Sequence, residues 1–237
     1  MLDDTNVIKQ RDVSGALNVA ATLYKQVSYD CQLVNATHDG REITGVIVAG
    51  MGGSALAADV AKVLLARDLT VPFEVVKGYE LPAYVGKNTL VITSSHSGNT
   101  EETVTCMNEA LKRGCQMAAI ATGGQVKEIA QAHEVMYAEM PHDTQPRMGM
   151  IYNLRALLRI LVEFSLVHQS IYDELAEAEQ WLHSESDLWA KEVPTERNYA
   201  KQLALIAVGK TPVFYAGSLM APVAYKWKIS WNENAKS

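Results

Sequence analysis

Apolar residues along the chain follow two rhythms. Short runs rich in apolar and β-branched residues, at 46–49, 73–76, 89–93, 117–121 and 135–138, read as buried strands. Between them, apolar residues recurring every three or four positions predict helices over 54–67, 100–113 and 125–132, with a short turn around 79–84. Strands alternating with helices call for a parallel sheet covered on both faces. Right-handed crossovers make the expected fold an α/β doubly wound sandwich with a five-stranded parallel sheet. Ahead of it, Val13, Leu17, Ala20, Leu23, Tyr24, Val27, Cys31 and Val34 keep helical spacing and predict one helix over 12–34.

The pattern changes at Pro146. "PRMGMIYNLRALLRILVEFSLV" predicts one long helix starting just after the proline, and further helices are expected over 171–191 and 195–208. "TPVFYAG" then reads as a strand, and "SLMAPVAYKWKISWNENAK" as another helix. That strand, bend and helix loosely repeat the arrangement at 46–60. The expected organisation is therefore an N-terminal α/β unit with its leading helix over 1–168, a helical connection over 169–210, and the start of a second, incomplete α/β unit over 211–237.

Composition narrows the function classes. The 237 residues are 48% hydrophobic and 20% charged, enough to bury a substantial core. A formal net charge of −6 argues against nucleic acid or an anionic membrane as partner, so any anion has to be captured locally. No apolar run approaches the roughly 18 residues of a membrane span. The start, "MLDDTNVIKQ", lacks the basic and apolar regions of a secretory signal, which makes a cytoplasmic location the expectation. Cys31, Cys106 and Cys115 show no CxxC spacing and read as reduced, buried thiols. The six histidines are scattered, with His133 and His142 too far apart for a helical pair, so no metal is expected.

Candidate chemistry sits in two loops. In "GVIVAGMGGSALAADV" a buried strand meets a glycine-rich bend and then a helix, an arrangement that exposes backbone N–H groups and a positive helix end to an anion. Gly50, Gly52 and Ala55 satisfy the dinucleotide spacing G-x-G-x-x-G/A, with Glu74 or Glu80 as the ribose-binding acid; a tight turn without a ligand has the same pattern. The second loop, "TLVITSSHSGNTEET", sets Ser94, Ser95, Ser97 and Thr100 between a strand and a helix. Ser97 or Thr100 would serve as a helix cap, and Glu101 and Glu102 suit the first turn through the helix dipole. In a sheet of order 2-1-3-4-5 the two loops open into one crevice at the switch point. Ser54, Ser95, Ser97 and Thr100 then form a cup of hydroxyls and amides sized for one phosphate, which favours a sugar phosphate over a dinucleotide.

"GMGGSA" together with "SSHSGNTEET" resembles the paired signature of sugar isomerase (SIS) domains. More narrowly it is similar to the bifunctional phosphoglucose/phosphomannose isomerases, whose loops read G-M-G-G-S and S-Y-S-G-N-T-x-E-T. The resemblance extends through "QPRMGM" to "APVAYKWKISWNENAKS" and so covers nearly the whole chain. It implies two SIS subdomains, the second truncated. It also implies that Gly52, Gly53, Ser54, Ser95, Ser97 and Thr100 bind the substrate phosphate, that Arg147 lies beside the reacting carbons, and that Glu233 moves a proton between C1 and C2. Aldose–ketose isomerisation through a cis-enediolate needs those types, a carboxylate to carry the proton and a fixed cation beside the developing charge. The implied activity interconverts glucose 6-phosphate and fructose 6-phosphate, extending to mannose 6-phosphate, without cofactor or metal, in a homodimer whose sites are shared between subunits. His96 departs from the family's usual tyrosine. The family's ring-opening histidine and a late lysine lie beyond the N-E-N-x-K segment, and this sequence stops at Ser237. A non-catalytic sugar-phosphate-binding module is the alternative reading, and an NAD-dependent enzyme rests on the glycine spacing alone.

Overall fold

The computed structural model describes residues 2–236; Met1 and Ser237, the outermost residues of the first and last expected units, lie outside them. The single helix expected over 12–34 does not form. Of that span only α2 (Ala16–Ala21) is α-helical, and it follows a separate helix, α1 (Thr5–Arg11): the Asp12 backbone N–H closes α1 on the Ile8 carbonyl, while its carboxylate starts α2 by accepting from the N–H groups of Ala16 at 2.7 Å and Leu17 at 2.9 Å. A 3₁₀ turn, Leu23–Ser28, follows, and the chain then extends into a two-residue strand, β1 (Leu33–Val34). An open sheet edge with unpaired backbone groups attracts such a segment more strongly than helical periodicity holds it.

The α/β unit comes next: β2 (Gly45–Gly50), α3 (Gly52–Leu64), β3 (Phe73–Val76), β4 (Thr89–Ser95), α4 (Glu101–Lys112), β5 (Gln116–Ala121), α5 (Gly124–Ala132) and β6 (Met136–Glu139). The sheet has six strands rather than five, in the order β1-β6-β5-β4-β2-β3. The five expected strands pair in parallel, and β1 adds an antiparallel edge, Leu33 opposite Ala138. Leaving β1 aside, the order is the expected 2-1-3-4-5.

Alternation along the strands splits the core into two layers. Val46, Val48, Leu90, Ile92, Ala118 and Ile120 face α3 and a long helix, α6 (Met150–Glu163), through Ala57, Ala61, Leu154 and Leu157. Ile47, Ala49, Val91, Ala119 and Tyr137 face α4 and α5 through Met107, Ala110, Val126 and Ala130. Helices thus cover both faces. A 3₁₀ turn, Pro146–Met148, leads into α6. Buried Arg155 donates to the backbone oxygens of Tyr29 (2.9 Å) and Tyr172, tying the N-terminal segment to the helices that follow.

The helix expected over 171–191 breaks at Ala178 into α7 (Gln169–Glu177) and α8 (Glu179–Leu188), and α9 (Tyr199–Ala207) follows a 3₁₀ turn, Thr195–Arg197. The strand expected in 211–217 is absent among the described residues. A strand needs a pairing edge; this segment has none, and Val213 and Tyr215 face outward. The last helix, α10 (Ala221–Ala235), packs on α3 and on the Pro146–Met148 turn. No helix among the described residues is long and apolar enough to cross a membrane.

Candidate functional site

Parallel pairing of β2 with β4 sets Gly50 opposite Ser94 and opens both candidate loops on one crevice. The approach is close: a Cβ on Gly50 would lie 2.7 Å from the Ser94 carbonyl oxygen. Met51 then starts α3 with no side-chain cap, and Ser54 lies buried in its first turn. The glycine bend rests on the Pro146–Met148 turn, the position of a Gly53 Cβ being 3.1 Å from the Pro146 oxygen. Gly52 faces solvent.

The four hydroxyls do not play one part. Ser95, 1% exposed, is turned into its own loop: its Oγ accepts from the Gly98 N–H at 3.0 Å and lies 2.8 Å from Thr100 Oγ1. Thr100 occupies the N-cap position of α4, yet its side chain bonds no first-turn N–H of that helix. Ser97 is exposed, and its Oγ accepts from the Asn99 N–H at 3.2 Å. The expectation that Ser97 or Thr100 caps α4 through its hydroxyl is therefore corrected, because Ser95 holds the Thr100 hydroxyl inward. α3 and α4 both lack a side-chain cap, so their positive ends stay available to an anion.

Arg147 and Glu233 meet across a long stretch of chain. The Arg147 Nε donates to Asn234 Oδ1 at 2.8 Å, and its Nη1 lies 4.0 Å from Glu233 Oε2. Lys226 Nζ donates to the Arg147 carbonyl at 2.6 Å. Burial pulls the Lys226 pKa down, the Arg147 charge adds to that, and Glu233 opposes it. The guanidinium sits against the C-terminal turn of α10, where the helix dipole favours a cation. A start-of-helix arginine that the dipole of its own helix does not explain thus has its partner in a different helix.

Sequence reasoning missed Asn153, Lys226 and Asn234. Lys226, Ser230 and Glu233 recur at helical spacing, so the face was there to be read. Asn153 is buried in α6 and donates to Ser54 Oγ at 3.3 Å and Ser94 Oγ at 2.8 Å; its only signal was a polar residue inside an apolar run. The dinucleotide reading loses one of its acids. Glu74 pairs opposite Ile47, before the end of β3, and takes the Tyr84 hydroxyl. Among the described residues no group of three or more His, Cys, Asp or Glu side chains gathers as a metal site.

His96 packs against the segment that leads into α6. Its Nε2 lies 3.2 Å from the Thr144 carbonyl, and its Cε1 would touch a Cβ on Gly149 at 3.2 Å, so the ring braces the segment that carries Arg147. Burial holds its pKa below 6.5, with His142 adding to that and the Thr144 bond and Asp143 opposing. The folded state therefore binds this proton less readily than the unfolded one, and stability falls as pH drops through 6.5 toward the folded value. His96→Gln keeps a donor near Thr144 and removes that slope. Urea unfolding at pH 8 and pH 5 checks this: the wild-type loss on acidification should exceed that of the variant.

Residues 42–165, more than half of the chain, match the SIS domain family, and residues 196–237 match the bacterial phospho-glucose isomerase C-terminal SIS domain. The chain is 36% identical over 197 residues to the bifunctional phosphoglucose/phosphomannose isomerase of Caldicellulosiruptor bescii, covering 83% of this chain and 58% of that one. It is 34% identical over 194 residues to the protein of the same name from Aquifex aeolicus, covering 81% and 56%. It thus spans less than two thirds of the length of these curated relatives. The solved tagatose-6-phosphate ketose/aldose isomerase of Escherichia coli superposes with a TM-score of 0.56 at 17% identity, over 98% of this chain and 59% of that one, a likeness of fold. A 2-1-3-4-5 parallel sheet with the glycine bend and the serine loop at its switch point, matched over more than half its length, means that this chain belongs to the SIS domain family.

Proposed function

We propose that this chain works as a phosphosugar isomerase that interconverts glucose 6-phosphate and fructose 6-phosphate and extends to mannose 6-phosphate. The observation that carries the reading is the meeting of the Arg147 guanidinium and the Glu233 carboxylate at 4.0 Å, beside the bend that holds Gly52, Gly53 and Ser54. The phosphate docks between the two uncapped helix ends, with Ser54, Ser97 and Thr100 around it and Ser95 holding the loop in shape. Glu233 takes the proton from C2 of the open-chain aldose and returns it to C1. Arg147 faces the negative charge that develops on the enediolate oxygens, and Asn234 and Lys226 hold it there. The electrons only redistribute within the sugar, so the reaction needs no external oxidant or reductant. The named relatives support the substrate pair.

The same reading includes residues 211–237 as the opening of a second SIS subdomain, a homodimer and a cytoplasmic location. Exposed Tyr215, Val223 and Trp227 offer apolar surface to a partner copy, and three free cysteines fit a reducing compartment. Proton NMR of fructose 6-phosphate in D₂O tests the activity. The expected result is glucose 6-phosphate carrying deuterium at C2. Line broadening of the ketose with no exchange would instead support the second reading, a binding module. That reading draws on the phosphate cup being built from residues 50–153, without α10.

A further inference from the structure

Asn153 stands behind both phosphate loops. It is 3% exposed, projects from α6, and spends its amide on two hydroxyls from different elements: Ser54 in the first turn of α3 and Ser94 at the end of β4. Its Oδ1 is buried and has no hydrogen-bond partner. A buried carbonyl without a partner is a cost that an apolar residue at this position would avoid. The amide donates to both hydroxyls, and that orientation has one clear chemical effect. A hydroxyl oxygen that accepts from an amide has its own proton left to give. Turned the other way, the amide oxygen would draw the Ser54 and Ser94 protons toward α6 and present lone pairs to the crevice, which repel an anion.

We infer that Asn153 is a positioning residue for the phosphate cup: by donating to Ser54 and Ser94 it makes Ser54 a donor toward the anion and locks the glycine bend to the end of β4. This rests on the reading of the Ser54 loop as a phosphate site. The residue touches neither the phosphate nor the reacting carbons; it acts through the two serines. Asn153→Asp reverses the device at nearly constant volume, since a carboxylate only accepts. Asn153→Leu removes it without adding charge.

The test measures the affinity of the full chain for fructose 6-phosphate and, as control, for fructose, by calorimetry, in wild type, Ser54→Ala, Asn153→Asp and Asn153→Leu. Loss of one hydrogen bond to a charged group predicts a roughly 10- to 100-fold weaker fructose 6-phosphate affinity for Ser54→Ala and Asn153→Leu, and a larger loss for Asn153→Asp. In the Ser54→Ala background, Asn153→Leu should add little, because the donor that it orients is already gone. If Ser54→Ala binds as wild type does, the phosphate reading of that loop fails. If Ser54→Ala weakens binding and a folded Asn153→Leu does not, the positioning role is overturned and the phosphate reading stands. A structural role alone would lower the unfolding midpoint of Asn153→Leu and spare its affinity. A measurement on wild type covers the case in which neither variant folds. The two Asn153 side-chain amide protons should resist solvent exchange and shift when fructose 6-phosphate is added. Unmoved amide protons, alongside shifted backbone amides at 52–54, would overturn the inference.

Discussion

Replacing Gly98 with alanine is expected to destabilise the chain by about 2–4 kcal/mol and to abolish phosphate binding at the proposed cup. Gly98 has φ +70°, and a Cβ there would lie 1.7 Å from the Gly123 oxygen and 2.6 Å from the Gly123 carbon. A left-handed conformation alone costs an L-residue about 1–2 kcal/mol, and a steric clash with backbone adds a comparable amount. The clash cannot be relieved by a rotamer change, because the obstacle is main chain. Gly98 also donates its N–H to Ser95 Oγ, and its carbonyl accepts from the Val126 N–H at 2.9 Å, so any shift pulls on the serine loop and on α5 together. Urea unfolding and phosphate titration would measure both parts. Gly86→Ala is the control, since a Cβ there meets nothing within 4 Å, and it should stay within about 0.5 kcal/mol of wild type. A Gly98→Ala protein with wild-type stability and affinity would mean that the loop yields easily, and the cup could not be called preorganised.

Glu233→Gln should lower proton exchange at C2 of fructose 6-phosphate-derived product by about 10²- to 10⁴-fold, the range for a general base, with fructose 6-phosphate affinity close to wild type. Glutamine keeps the size of the side chain but cannot accept the C2 proton. Arg147 should hold its place, because its close contacts are Asn234 Oδ1 at 2.8 Å and the Lys226 bond to its carbonyl, whereas Glu233 lies at 4.0 Å. The split between rate and affinity is what separates a base from a mere ion-pair partner. Solvent-deuterium exchange followed by NMR reads the rate, and calorimetry reads the affinity. Exchange at the wild-type rate would remove Glu233 from the chemistry; a loss confined to affinity would recast it as a binding group.

The sheet was legible because strands buried on both faces write themselves as unbroken apolar runs, as at Val46–Val48 and Leu90–Ile92, and the candidate loops because glycine and small hydroxyls between a strand and a helix stand out from such runs. The rest turned on distant partners. Nothing local shows that the helical spacing over 12–34 yields to an open sheet edge, or that 211–217 has no edge to join. Ser95 illustrates the limit at the site: its type and position were readable, but its hydroxyl points inward to Gly98 and Thr100 rather than outward. The partners of Asn153 were hidden for the same reason, since the two serines lie 99 and 59 residues away along the chain.

The docking of α10 has a consequence of its own. Within that helix only Pro222 and Ile229 are buried, whereas α3 and α6 are anchored in the core along their length. Elements held by so little apolar surface open at a lower free energy than the domain as a whole. On the proposed reading, sugar capture and proton transfer then belong to parts of the molecule that open at different free energies. On warming, α10 would peel away and take Glu233 with it while the glycine bend and serine loop kept their shape, so the proposed isomerase would lose turnover before it lost its hold on a phosphate.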